Sequence, residues 1–133
     1  MQPFEDLEIW RRSRALSLEV YTLSKDFPAF EQFAFTSQLR RAAVSVPTNI
    51  AEGTQRLHAT DFARFLNMSE GSLGEVRSLL LMALDLDYGH VPAIQAALAE
   101  SREISRMLCR FRQRVEMRGA ARRGTAAKQR GPH

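Results

Sequence analysis

The residues best suited to chemistry form a polar series in the second quarter of the chain. Its members recur at steps of three and four and mix amides, a hydroxyl and charges: Gln38, Arg41, Ser45, Asn49, Glu52 and Arg56. At about 100° per residue this spacing places them on one face of a helix, beside the apolar face rather than opposite it. A later stretch offers a counterpart in Ser69, Ser72 and Glu75, with Gly71 and Gly74 between them. The pattern is typical of a face that borders a core or an interface.

We define the polar stripe as this series together with Ser72 and Glu75. We predict that Arg41 and Glu52 make charge-assisted hydrogen bonds to neighbouring helices, with Glu75 as the partner of Arg41. Each glycine of the counterpart would cost a helix about 1 kcal/mol relative to alanine, which is usually tolerated where another backbone or a partner approaches closely. The alternative is an ordinary solvated flank that carries a Glu52–Arg56 pair.

A second set of candidates is basic and lies towards the carboxy terminus. Residues 102–133 carry 10 basic and 2 acidic side chains, whereas residues 1–101 carry 9 basic and 13 acidic ones. A basic arm on a mildly acidic body is often found where tails meet nucleic acid. The candidate contacts are Arg102, Arg106, Arg110, Arg114, Arg118, Arg122, Arg123, Lys128 and Arg130. The alternative is a tail that only solubilises the protein, or a general preference for arginine.

No group of residues indicates a catalytic, metal or cofactor site. A di-iron site in a helical bundle needs Glu-x-x-His pairs, and none of the three histidines (His58, His90 and His133) follows a glutamate by three residues. The single cysteine, Cys109, excludes an internal disulfide framework and a multi-cysteine zinc site. Neither a glycine-rich phosphate loop nor a Gly-x-Ser-x-Gly elbow occurs. We expect a protein that is not an enzyme and holds no metal and no cofactor.

Length and composition indicate one globular domain. The chain has 133 residues, a net charge of +4 and 44% hydrophobic residues, values that exclude the disordered and fibrous classes. The amino terminus is acidic and lacks the apolar region of a signal peptide. The longest apolar run, residues 79–84, is far too short to cross a bilayer. We therefore expect a cytoplasmic protein without membrane contact.

Apolar residues recur with helical periodicity along most of the chain, and no stretch alternates as a strand would. The predicted helices span residues 7–23, 33–56, 60–87 and 92–118, joined by short loops. Pro47 falls inside the second helix, where it removes the hydrogen bond to the Ala43 carbonyl and should kink the helix. Gly119 is expected to follow the end of the fourth helix, leaving residues 119–133 as a disordered basic C-terminal tail. The predicted fold class is all-α: an antiparallel up-down-up-down four-helix bundle over residues 1–118.

The first predicted helix is apolar along two lines, although a bundle needs only one. The lines are Leu7, Trp10 and Tyr21 on one side, and Ile9, Leu16 and Val20 on the other. The excess surface must be covered by another chain or remain as an exposed patch. This pattern predicts a homo-oligomer.

Three groups of residues carry a resemblance to a known family. They are Phe4-Glu-Asp-Leu7 with Trp10 and Phe27-Pro28; the run Gln38-Leu-Arg-Arg-Ala-Ala-Val-Ser-Val-Pro-Thr-Asn-Ile-Ala-Glu-Gly53 with Arg56; and Gly71-Ser72 with Glu75. Over about residues 4–115 the sequence resembles the four-helix-bundle family of 23S rRNA intervening-sequence proteins, also called the S23 family. One departure is Glu70, where relatives usually carry alanine. Its charge argues against phosphate binding on that face.

The resemblance implies an antiparallel four-helix bundle that assembles as a ring-like homopentamer. A related branch serves as the accessory protein of diversity-generating retroelements and binds nucleic acid and a reverse transcriptase. We therefore expect a non-enzymatic oligomer that binds RNA or DNA, or a nucleoprotein partner such as a reverse transcriptase, through basic surfaces. The alternative from another class is a structural protein–protein adaptor without nucleic-acid affinity. An enzyme that acts on RNA is a more distant alternative.

Overall fold

The residues that the structure describes form helices joined by short connections. The computed structural model describes the backbone of residues 3–130 and the side chains of residues 3–125. Its four α-helices are α1 (Glu8–Leu23), α2 (Phe35–Thr54), α3 (Ala59–Asp85) and α4 (Val91–Arg130). Short 3-10 helices at Phe4–Asp6, Ser24–Asp26 and Ala29–Glu31 precede α1 and connect it to α2. Each helix packs against the next, and α1 also packs against α4, which closes a four-helix bundle and confirms the predicted fold.

The core is built from one apolar stripe on each helix, as the periodicity predicts. Fully enclosed side chains come from every helix: Val20 on α1; Leu39 and Ile50 on α2; Leu66, Leu73 and Leu80 on α3; Ile94, Ile104 and Leu108 on α4. Each of these side chains stabilises the fold by about 1.5–3 kcal/mol relative to its exposure to water.

The second apolar line of α1 is mostly covered by the chain itself. Leu7 is buried, and the ring of Trp10 packs edge-on against Phe4, with centroids 5.0 Å apart. Tyr21 is the exposed member of the line, and the guanidinium of Arg40 lies 4.8 Å from its ring centroid. The segment before α1 therefore covers part of the predicted excess surface, while Tyr21 remains exposed and self-association stays a prediction.

Pro47 lies within α2 without ending it, and a neighbouring helix supplies a replacement for the hydrogen bond that proline removes. Because proline has no N–H, the Ala43 carbonyl loses its intrahelical donor. The Ser17 hydroxyl of α1 donates to this carbonyl at 2.7 Å, and both residues are buried. The Ser69 hydroxyl of α3 donates to the Val46 carbonyl, also at 2.7 Å, but that carbonyl keeps its own intrahelical donor.

We expect Ser17→Ala to destabilise the protein by about 1–3 kcal/mol, because it leaves the buried Ala43 carbonyl without any donor. In a Pro47→Ala background the helix regains an N–H for this carbonyl, and the cost of Ser17→Ala should fall to about 1 kcal/mol or less. Urea unfolding of the four proteins of this double-mutant cycle measures the coupling. Ser69→Ala is the matched control and should cost less than Ser17→Ala. The same cost for Ser17→Ala in both backgrounds would contradict this account.

Helix α4 extends further than predicted, whereas the other helix boundaries differ from prediction by no more than two residues. Gly119 lies inside α4 and is buried, and a Cβ added there would lie 3.0 Å from the Cβ of Ala59. Its lack of a side chain lets α4 pass close to the start of α3, where Arg123 Nη1 donates to Thr60 Oγ1 at 3.1 Å. The helix end predicted before Gly119 is therefore wrong. Residues 131–133 of the predicted tail lie outside the described residues.

Candidate nucleic-acid interface

The polar stripe lies on the outer flanks of α2 and α3 rather than between helices. Ser45 Oγ donates to the Arg41 carbonyl at 3.0 Å and Asn49 Nδ2 donates to the Ser45 carbonyl at 2.9 Å, so both side chains bond within their own helix. Arg41, Glu52 and Glu75 are exposed, and within the described part of the chain none of them forms an ion pair. The predicted hydrogen bond between Arg41 and Glu75 is therefore wrong for the single chain. At the other stripe positions, Gln38 is exposed and Ser72 is partly buried.

The two glycines near the middle of α3 face open space. A Cβ added at Gly71 or Gly74 would meet nothing within 4 Å. Among the described residues no neighbouring helix approaches closely enough to require glycine at these two positions. Exposed apolar side chains lie on or beside the same face: Val44, Met68 and Met82. We call this surface, with the polar stripe along it, the outer face of α2 and α3.

Six arginines recur at every fourth residue of α4, and all six are exposed: Arg102, Arg106, Arg110, Arg114, Arg118 and Arg122. We call them the arginine row. Because each step of four residues adds about 40° beyond a full turn, the row winds slowly around the helix. Arg106 pairs with Glu103 at 3.5 Å, and Arg114 lies 5.6 Å from the ring centroid of Phe111. Arg114 and the other four have no acidic partner within 4 Å among the residues described, so the charge of these five is available to an anionic ligand.

The last basic residues of the arm have other surroundings. Arg123 bonds to Thr60, as described above, and remains exposed. Lys128 and Arg130 belong to α4, but their side chains lie outside the described part of the structure.

Arg112 differs from the arginine row because two carboxylates neutralise it. Its guanidinium pairs with Glu70 of α3 and, at 2.9 Å, with Glu116. The hydrogen bonds that its N–H groups donate to these carboxylates raise the pKa of Arg112 above its ordinary value. Glu70 lies about 160° around α3 from Ser72, on the side that faces α4. The expectation that Glu70 disfavours phosphate on the Ser72 face is therefore wrong.

A shallow hollow lies where the α2–α3 connection meets α4. It is lined by Arg56, Leu57, His58, Ala59, Phe62, Val115, Arg118 and Arg122. Phe62 and Val115 are buried and form an apolar floor, while the side chain of Leu57 is 91% exposed. Among the described residues no carboxylate lines it. We call this site the basic hollow, after its three arginines.

The basic hollow is lined by residues that belong to two separate features of the sequence, the polar stripe and the arginine row. Arg56 belongs to the polar stripe and follows the end of α2, where its guanidinium lies 4.5 Å from the ring centroid of Phe65. Arg118 and Arg122 are one turn apart on α4 and reach the hollow because the helix continues past Gly119. Sequence reasoning missed the site because it ended the helix at that glycine.

The sequence family described as 23S rRNA-intervening sequence protein matches residues 5–110 of the chain. The chain belongs to this family. A crystal structure of a protein with unknown function from the S23 ribosomal protein family of Bacteroides thetaiotaomicron has a similar fold, with a TM-score of 0.71 and 24% sequence identity; the match covers 77% of this chain and 96% of that one. No curated protein sequence gives a significant match. These findings confirm the family and the fold, and they carry no link to retroelement accessory proteins.

The family match ends at residue 110, and the basic hollow lies on both sides of that limit. Arg56 and Leu57 belong to the segment that matches the 23S rRNA-intervening sequence protein family. Arg118 and Arg122 belong to the part of α4 beyond it. The hollow therefore depends on how this chain extends its last helix.

Among the described residues no helix is long and apolar enough to span a membrane. No three His, Cys, Asp or Glu side chains there are grouped as a metal ion would require. His58 borders the basic hollow, His90 lies in the α3–α4 connection, and His133 lies outside the described residues. Cys109 is a partly buried free thiol on α4.

Proposed function

We propose that this member of the 23S rRNA-intervening sequence protein family is a non-enzymatic, cytoplasmic oligomer that binds RNA or DNA through α4. The observation that carries the proposal is the arginine row, in which five of six exposed guanidinium groups have no acidic partner among the described residues. A guanidinium can hold a phosphate through two parallel hydrogen bonds. Contacts of this kind bind the backbone and carry no sequence information directly, so selectivity for sequence should be low.

Binding of mixed-sequence single-stranded RNA by the full-length protein tests this function. Fluorescence anisotropy should show binding at low salt, and the affinity should fall steeply as salt rises, by about 0.7 in log–log slope for each phosphate contact. A full-length protein that binds neither RNA nor DNA at low salt would overturn the proposal. That outcome would favour the structural adaptor, for which the outer face of α2 and α3 is the available docking surface.

The same proposal includes self-association through the outer face of α2 and α3. The face combines exposed apolar side chains with charged groups, Arg41, Glu52 and Glu75, that have no ion pair within the described chain. Gly71 leaves room there for a backbone to approach closely. The resemblance favours a closed homopentamer. In such a ring several arginine rows would lie close together, which raises their effective concentration for a long anionic ligand.

Light scattering at micromolar concentration should return a multiple of the 15.1 kDa chain mass. Gly71→Leu should reduce this mass, because the new side chain meets nothing in its own chain but would obstruct an approaching copy. Gly124→Leu is the matched control, since a Cβ added there also meets nothing within 4 Å. A wild-type mass equal to that of one chain would contradict the proposed assembly.

A further inference from the structure

We propose that the basic hollow is the anchoring site for an unpaired nucleic-acid strand, with phosphates on its three arginines and one base against Leu57. The inference rests on the proposed function. It narrows that function from a whole helix surface to one site, and from nucleic acid in general to single strands.

The first argument is the balance of charge in the hollow. Arg56, Arg118 and Arg122 converge from two segments far apart in sequence, and among the described residues no carboxylate lines the site or pairs with them. A neighbouring hollow also holds three arginines, but Arg112 there is neutralised by Glu70 and Glu116. Of the two sites, the basic hollow keeps its full positive charge for a phosphate.

The second argument is that the structure orders Arg56 and fixes the helix from which the other two arginines project. The guanidinium of Arg56 lies over the ring of Phe65, which is itself buried. Arg118 and Arg122 project from a helix that is held against the start of α3 by the close contact at Gly119. Groups that are already ordered lose less conformational entropy when they bind a ligand.

The third argument is the exposure of Leu57 beside these arginines. Its side chain is 91% exposed between α2 and α3, so it contributes little to the core of this chain. An apolar side chain next to bound phosphates can contact the face of a base only where that base is unstacked, as in a single strand. In a duplex the base faces are stacked on one another and cannot reach it. Leu57 should therefore favour single strands.

Two triple variants with the same change in net charge test the site. One carries Arg56→Gln, Arg118→Gln and Arg122→Gln in the hollow. The other carries Arg102→Gln, Arg106→Gln and Arg110→Gln, the first three members of the arginine row. Single-stranded RNA binding at low salt should fall by about 30-fold or more in the hollow variant, with a log–log salt slope lower by about 2. In the other triple variant, RNA binding should fall by less than about 10-fold. All six positions are exposed, so circular dichroism and urea unfolding should confirm that both variants fold.

The Leu57→Ser variant tests whether the hollow prefers single-stranded RNA to duplex RNA. It should weaken single-stranded RNA binding about fivefold and leave the binding of duplex RNA of the same length unaffected.

Equal losses of RNA binding in the two triple variants would show that the hollow is not the anchoring site, while the proposed function of α4 would stand. Equal losses for single strand and duplex in Leu57→Ser would overturn the selectivity. If the wild type binds no RNA, the proposed function itself is wrong. If the wild type binds a polyglutamate peptide more tightly than RNA, the ligand of the hollow is an acidic protein and not a nucleic acid.

Discussion

Replacing Arg110, Arg114, Arg118 and Arg122 with glutamine should remove most of the nucleic-acid affinity and leave the fold intact. All four side chains are exposed, and none forms an ion pair with a described residue, so their charge does not support the bundle. If each contacts a phosphate, the log–log salt slope should fall by about 3, and the affinity at low salt by about 100-fold or more. Anisotropy titrations of single-stranded RNA at several salt concentrations measure both quantities.

A charge-matched control shows whether position or total charge matters. Glutamine at Arg11, Arg14, Arg64 and Arg77 removes the same charge from α1 and α3 and should change affinity much less. Similar losses in the two quadruple variants would contradict a binding surface on α4. Point substitutions serve better than a truncation after Met117, because a truncation would also remove the contact of Gly119 with Ala59.

The architecture could be predicted from sequence because helix periodicity is a local signal. Each apolar stripe identifies its helix without knowledge of the others, and the enclosed residues Leu39, Leu73 and Leu108 lie on the stripes that predicted them. The effect of Pro47 could also be predicted: because proline has no backbone N–H, the Ala43 carbonyl is left without its intrahelical donor. The sequence could not show that Ser17 replaces that donor, because the contact depends on how α1 packs against α2.

The candidate site was harder to predict because it is made by packing. A glycine can end a helix or admit a neighbouring one, and at Gly119 only the position of Ala59 decides between the two. Arg112 looks like part of the basic arm until Glu70, 42 residues away in sequence, is found beside it. Arg56 has the spacing of the polar stripe, yet its neighbours in space are arginines of α4. In each case the deciding partner lies on another helix.

Gly53→Leu should destabilise the protein by about 3 kcal/mol or more, since it overpacks the closest approach of α2 and α3. A Cβ at Gly53 would lie 2.8 Å from Phe62 Cδ1 and 3.0 Å from Phe65 Cβ. Phe62 cannot move aside easily, because it is buried and packs edge-on against Phe111. Gly124→Leu introduces the same side chain in a helix with open space around it and should cost far less. Urea unfolding of the two variants gives the comparison.

The Gly53 substitution also connects stability to the basic hollow. Phe65 lies under the guanidinium of Arg56, and Phe62 forms part of the floor of the hollow. Displacing these rings should release Arg56 from its ordered position, so the milder Gly53→Ala should weaken single-stranded RNA binding even at temperatures where the variant stays folded. Gly124→Ala should not weaken it. If Gly53→Ala destabilises the bundle but binds RNA like the wild type, the order of Arg56 does not contribute to binding, and the charge of the hollow alone must account for the affinity.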